Sequence, residues 1–241
     1  MIKQGITEIL PVASLDWDGC TGPIVDHSVR HAEICAKTEG KPYFVPRHHN
    51  YVKQIQEHIK KQLGNKKSII VCGSARQDHQ INNHNLMKKY NQYMAYKGTE
   101  YEGLIPTKNE VDAFYQFPRV VNLFNKTLGT NADFLPLLYP DQDVKEGTTM
   151  YTDESRLVCD CPIPLDDMKV NLLNFQADWL SKKYPEKQIK LSFYDDRLDI
   201  LGALRREAVP NMPHNVTLKL YHADWFSYIT GKAKEVITEF T

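Results

Sequence analysis

The stretch 9–16, ILPVASLD, is short and apolar, is β-branched at Val12 and ends at an acid, which predicts a buried strand. A second strand is predicted over 68–72, SIIVC, followed by Gly73 and Ser74. In 132–139, ADFLPLLY, Pro136 cannot donate to a ladder, so a third strand there is either weak or placed at a sheet edge. The stretch 189–194, IKLSFY, alternates apolar and polar until Asp195 and Asp196 begin, and 215–221, NVTLKLY, is the last strand candidate.

Helical patterns lie between these runs. Tyr51, Ile55, Ile59 and Leu63 recur at four-residue spacing and stop at Gly64, which predicts a helix over 50–63. Thr107-x-x-Glu110 is a capping box that starts a helix near Lys108, and Pro118 is expected to kink or divide it. Pro164, Leu165, Asp166 and Asp167 precede a helix over about 168–183, with Leu172, Phe175 and Trp179 on one face. Strands alternating with helices imply an α/β fold with a mostly parallel sheet covered on both sides. The 94 residues between Ser74 and Lys169 exceed what one crossover needs. The stretch 77–130, polar, helical in pattern and rich in Asn, Tyr and Lys, is therefore expected to be a helical, cap-like insert within one domain spanning 1–241.

Composition narrows the classes of partner. With 30 basic and 30 acidic residues, the chain has no bulk pull toward nucleic acid or an anionic membrane. No apolar run approaches the roughly 18 residues of a membrane span. Residues 1–15 do not read as a signal peptide, because Glu8 interrupts the apolar stretch and it runs straight into Asp16. Five cysteines, odd in number and without CxxC spacing, point to a reducing compartment.

Against this frame four separated signals carry chemistry: Asp16 and Asp18, then Ser74 after Gly73, then Lys169, then Asp195 and Asp196. Parallel strands bring such ends to one sheet edge, where open α/β folds bind ligands. Two acids two apart on an extended strand end point the same way. One can attack phosphorus while the other handles the proton of the leaving group. Gly19 and Gly22 would let the backbone turn beside an anion. The Ser74 hydroxyl with neighbouring N–H groups can cradle phosphate. Lys169 lies in the first turn of its helix, where the dipole disfavours a cation, so removing its charge is expected to cost little stability. The acid pair Asp195–Asp196 repels itself unless a cation intervenes, and Mg2+ is the hard, oxygen-seeking candidate.

Other signals were weaker. Cys72 and Arg76 are only four apart, too close to enclose the loop of a cysteine-dependent phosphatase. Cys159-x-Cys161 supplies two zinc ligands at most. His48, His49, His79 and His84 read as surface histidines, and Tyr90, Tyr93, Tyr96 and Tyr101 as a packed helix face rather than a substrate entrance or nucleic-acid surface.

A response-regulator receiver uses similar groups, but its acid pair comes first and its lysine last. The order here resembles the haloacid-dehalogenase-like (HAD-like) hydrolase superfamily. Asp16-Trp17-Asp18-Gly19-Cys20 matches its first motif, DxDx(T/V), with cysteine departing at the fifth place, and Ser74, Lys169 and Asp195–Asp196 match the other three. The resemblance covers about 9–222 and implies a Rossmannoid core. The flanking words LDWDGC, GSARQ, FYDDRLDIL and NVTL are similar to those of HAD-like phosphatases that intracellular bacterial pathogens deliver into host cells, some of which act on protein phosphotyrosine.

The resemblance implies a Mg2+-dependent phosphatase with Asp16 as nucleophile, forming an aspartyl-phosphate. Asp18 would be the general acid/base and would lend its carbonyl to the metal. Gly73 and Ser74 would bind phosphoryl oxygens, and Lys169 would stabilise charge between Asp16 and phosphate. Asp195 would ligate Mg2+, with Asp196 a second ligand or a partner for Lys169. The partner would be a phosphorylated substrate, a phosphoprotein among the candidates, met in the cytoplasm or in a host-cell cytosol reached without a signal peptide. The alternatives are a small-molecule phosphatase or nucleotidase, and a binding protein that keeps the fold without turnover.

Overall fold

A computed structural model describes residues 8–22, 45–74, 87, 90, 91, 93–135, 165–229 and 231–241. Strand β1 is Glu8–Leu15, β2 Lys67–Cys72, β3 Asn131–Leu135, β4 Lys187–Asp195, β5 Val216–His222 and β6 Thr238–Glu239. The helices are α1 (Val45–Leu63), α2 (Lys108–Val111), α3 (Ala113–Leu128), α4 (Leu165–Lys183), α5 (Leu198–Glu207) and α6 (Trp225–Ile229). One six-stranded sheet has the order β3-β2-β1-β4-β5-β6. The first five strands run parallel, and the two-residue β6 closes the far edge antiparallel to β5. This is a Rossmann-like α/β arrangement. The chain steps outward from β1 to β3, then returns to lay β4 on the other side of β1, so the β1/β4 boundary is the switch point where such sheets open a crevice.

The register brings Leu15 level with both Cys72 and Tyr194. The three residues that follow, Asp16, Gly73 and Asp195, therefore emerge side by side.

Both faces are covered, as the near-continuous apolar runs require. On one face Tyr51, Ile55, Ile59 and Leu63 of α1 and Phe117, Val120, Val121 and Phe124 of α3 pack with Ala13, Leu15, Ile70 and Tyr194. On the other, Val170, Leu173, Ala177 and Leu180 of α4 and Ile200, Leu201 and Leu204 of α5 pack with Val12, Val71, Leu191 and Phe193.

Several elements differ from the pattern-based expectation. The helix expected over 50–63 begins at Val45, and the one expected from about 168 begins at Leu165. Lys169 is therefore the fifth residue of α4, past its first turn. On α4, Leu172 is buried but Phe175 and Trp179 are only partly so. The deep stripe runs instead through Val170, Leu173, Ala177 and Leu180, because the helix lies against the sheet and α5 together. The helix expected to break at Pro118 breaks at Asp112 and runs through the proline. With the restart at Ala113, the carbonyl deprived of a partner by Pro118 is that of Phe114, in the first turn, and the rest of the ladder is intact. Strand β3, Asn131–Leu135, ends the sheet order, which fits the edge alternative for 132–139, and Pro136 lies outside the described residues.

Of the stretch 77–130, residues 77–86 lie outside the described residues. Its C-terminal part is α3, the crossover helix between β2 and β3, whose apolar face belongs to the main core. Between them Tyr93 is buried against Ile105, the Tyr96 and Tyr101 rings meet edge-on at 6.2 Å, and Lys108 lies 5.4 Å from the Tyr90 ring centre. His79, His84, Cys159 and Cys161 lie outside the described residues.

Candidate active site

Where the sheet ladder ends, the site begins. Asp16 N–H donates to Tyr194 O at 3.0 Å, Gly73 N–H to Leu15 O at 2.8 Å and Ala223 N–H to Asp195 O at 3.0 Å. These bonds hold the four strand ends at one level. Gly73 is needed there: a Cβ would lie 2.7 Å from Ser14 Oγ and 2.8 Å from Phe193 Cε2. Ser74 follows it and is buried.

Into this edge α4 sends Lys169. Its Nζ donates to Asp16 Oδ1 at 2.5 Å, Gly73 O at 2.7 Å and Asp195 Oδ2 at 3.0 Å, which uses all three ammonium protons. All three side chains are buried, with Lys169 at 4% exposure, Asp16 at 6% and Asp195 at 1%. The second oxygen of Asp195 accepts from Arg197 N–H at 3.0 Å, so both of its oxygens are held. Asp196 is not among the hydrogen-bond partners of Lys169; the lysine partner is Asp195.

Asp16 was expected to share an extended strand end with Asp18. Instead the strand stops at Leu15, and Trp17–Thr21 form a single π-helical turn. The side chain of Asp18 lies outside those described. Trp17 is buried with its ring 5.4 Å from that of Phe117, so the turn is anchored in the core beneath α3. Thr21 donates to the Asp16 carbonyl through its N–H, at 3.3 Å, and through its hydroxyl. Tyr51 OH donates to Cys20 O at 2.9 Å. Gly19 has φ +72, and a Cβ there would fall 1.9 Å from Asp196 Oδ2, so the turn packs directly on the acid. Gly22 has an ordinary helical φ of −52; what excludes a side chain there is the Trp17 carbonyl, 2.9 Å from the position of a Cβ.

Among the described residues, charge is out of balance. Carboxylate oxygens of Asp16, Asp195 and Asp196 lie within 4.8 Å of one another, against the single ammonium of Lys169. Burial pulls the Lys169 ammonium toward neutrality, but Asp16 and Asp195, through charge and hydrogen bonds, outweigh it and hold the proton more firmly than in free lysine. Asp196 carries the excess: burial, then Asp16, Asp195 and Asp224, push its carboxyl up to about 8. Its carbonyl is 3.0 Å from His222 Nε2, which fixes the proton on that nitrogen. The Cys20 thiol is pushed up by burial and by Asp16, Asp195 and Asp196, so it stays protonated and is no nucleophile.

The residues fit a hard dication. The donors are carboxylate oxygens, and among the described residues the cluster holds more negative charge than Lys169 neutralises. Protein-family models, curated proteins and solved structures all fail to match the chain.

Three contributors escape sequence reasoning. Trp17, Thr21 and Gln176 are assigned no role there. Gln176 is fully buried and ties Ser14 to Cys72. The available signal was its spacing, seven residues after Lys169 and three after Leu173, which puts it on the sheet-facing side.

Proposed function

We propose that the chain is a Mg2+-dependent phosphatase of the HAD-like kind, acting through an aspartyl-phosphate on Asp16. The observation that carries this reading is the buried triangle of Lys169 with Asp16 and Asp195, set at the β1/β4 switch point beside Asp196. A buried lysine shared by two carboxylates is costly to assemble unless the charges serve a ligand.

Asp16 is the candidate nucleophile because it opens the DxD word where β1 ends, and its carboxylate faces the Lys169 ammonium. An Asp16 oxygen attacks phosphorus, the bond from phosphorus to the leaving oxygen breaks, and Asp18 gives that oxygen its proton. Asp18, now a carboxylate, takes a proton from water as the water oxygen attacks the same phosphorus. The bond to Asp16 then breaks, releasing phosphate and restoring the carboxylate. Lys169 stays an ammonium throughout and opposes the negative charge that develops beside Asp16. Gly73 and Ser74 border the place where phosphoryl oxygens would lie. Asp16, Asp195 and Asp196, with the Asp18 carbonyl, would hold Mg2+, which when bound neutralises phosphoryl charge.

The test is turnover of p-nitrophenyl phosphate, with and without chelator, followed by borohydride trapping of the acyl phosphate and mapping of the reduced residue. Chelator-sensitive turnover with the label on Asp16 is expected. Full activity in chelator would sink the metal role, and a label elsewhere would sink the nucleophile. A panel of phosphotyrosyl and phosphoseryl peptides, sugars and nucleotides then assigns the substrate. Phosphotyrosyl peptide is expected to lead, on the narrower resemblance. Bound Mg2+ without turnover of any member would favour the silent binding protein.

A further inference from the structure

Gln176 is a fully buried polar side chain that the phosphatase chemistry does not use. It accepts from Ser14 Oγ at 2.8 Å and donates to Cys72 O at 2.7 Å. Ser14 lies two residues before Asp16 on β1, and Cys72 one residue before Gly73 on β2. Lys169 lies two turns earlier on α4, and binds Asp16 and Gly73 themselves. The consecutive carbonyls of Cys72 and Gly73 thus each accept from a side chain of the same helix. Around Gln176 the interface is apolar, with Leu173, Ala177 and Leu180 packed on the sheet. Apolar contacts tolerate small slides along a helix axis, whereas two short hydrogen bonds from one amide do not.

We infer that Gln176 is a positioning residue: it locks the axial setting of α4 against the ends of β1 and β2, so that the Lys169 ammonium falls between Asp16 and Asp195. It touches neither substrate nor metal and acts only through Lys169. A carboxamide suits the place because it offers an acceptor oxygen and a donor nitrogen without charge. The inference rests on the phosphatase reading for its kinetic effect, but not for the placement of Lys169.

The test uses the full chain labelled with 15N-lysine. A buried ammonium held in three hydrogen bonds should give a slowly exchanging 1H–15N signal, assigned by its absence in Lys169→Met. Gln176→Met keeps the length and removes both bonds. It is expected to broaden this signal or move it toward those of exposed lysines such as Lys219, and to lower kcat on p-nitrophenyl phosphate by about tenfold or more with KM little changed. In a Lys169→Met background the same substitution should lower kcat no further, since the group it positions is gone. Ser14→Ala removes one of the two bonds; it should act in the same direction more weakly, and it carries the test if Gln176→Met does not fold. An unchanged Lys169 signal and kcat in the folded variant would overturn the inference, as would an equal loss of kcat in the Lys169→Met background. Absence of turnover in the parent chain would refute the phosphatase reading instead, and the lysine signal would still decide the role of Gln176.

Discussion

The Lys169 ammonium lies 2.5 Å from an Asp16 oxygen, with both side chains buried and the two residues 153 positions apart in the chain. That contact joins the first strand to the helix that precedes the fourth, across the switch point of the sheet. Breaking it from the lysine side leaves Asp16 and Asp195 as buried carboxylates without their cation. Lys169→Met should therefore destabilise the metal-free protein by about 3 kcal/mol, the scale of removing one partner of a buried pair. The lysine's folded pKa is raised, so its contribution is present at any pH below its unfolded value near 10.4 and is lost only as pH rises through the folded one. The deficit from its own titration should thus be flat between about pH 6 and 9. Thermal melts over that range, with and without Mg2+, check this. Added Mg2+ should recover part of the loss, and an unchanged melting temperature would contradict the ion pair.

This reverses what the local sequence suggests. A lysine expected in the first turn of a helix, where the dipole disfavours a cation, reads as one whose loss costs little stability. Its three partners lie 153, 96 and 26 positions away, and no local signal announces them. The strand ends were legible because each apolar run stops at a residue of distinct character: Asp16, Gly73, Asp195. The alternation of strand and helix was enough to order them on one sheet edge. The turn after Asp16 was not legible, since the DWDGC word favours an extended or open-turn reading. What folds it into one helical turn is tertiary: Trp17 buried on Phe117, and Tyr51 reaching Cys20 O. Helix was legible from Thr107 onward, but the place of α3 in the main core was not, because it lies within a polar segment that reads as an insert.

Asp196 offers the pH dependence. Its carboxyl is raised from an ordinary value to about 8, so between roughly pH 4 and pH 8 the folded state holds a proton that the unfolded chain has released. Stability of the metal-free protein should therefore fall as pH rises across that window, through this group. Asp196→Asn should remove the fall, leaving stability unchanged near pH 4 and higher near pH 8. Denaturant melts in chelator at the two pH values measure it. For the parent chain, Mg2+ and the proton compete for one carboxylate, so apparent Mg2+ affinity should rise with pH up to about 8. Equal pH slopes for parent and Asp196→Asn would show that another group carries the shift.

Gly19 ties the turn to the same acid. Its φ of +72 costs a side-chain-bearing residue about 1 kcal/mol, and the Cβ of alanine would meet Asp196 Oδ2 at 1.9 Å. Gly19→Ala must displace either the turn or the carboxylate. Because Trp17 anchors the turn in the core, the carboxylate should yield, and the cation site with it. Weaker Mg2+ binding by about tenfold or more in calorimetry, with a melting temperature lowered only modestly, is expected. Unchanged Mg2+ affinity would place the cation away from Asp196.

Asp16→Asn separates chemistry from architecture. The amide keeps the shape of the side chain and an oxygen able to accept from Lys169, while removing one negative charge from a cluster that already has too many. Metal-free stability should therefore hold or rise. The loss of charge relieves Asp196, whose carboxyl is raised in part by Asp16, so its pKa should move back down, and the stability slope between about pH 4 and 8 should flatten. Turnover should nearly vanish, because an amide oxygen cannot form the acyl phosphate. Single-turnover assays on an aryl phosphate, together with melts at two pH values, read both effects from one variant. A well-folded Asp16→Asn protein that keeps more than about a tenth of the parent kcat would mean that another group attacks phosphorus, and Asp195, held on both oxygens, could take that role only by releasing Lys169 or Arg197.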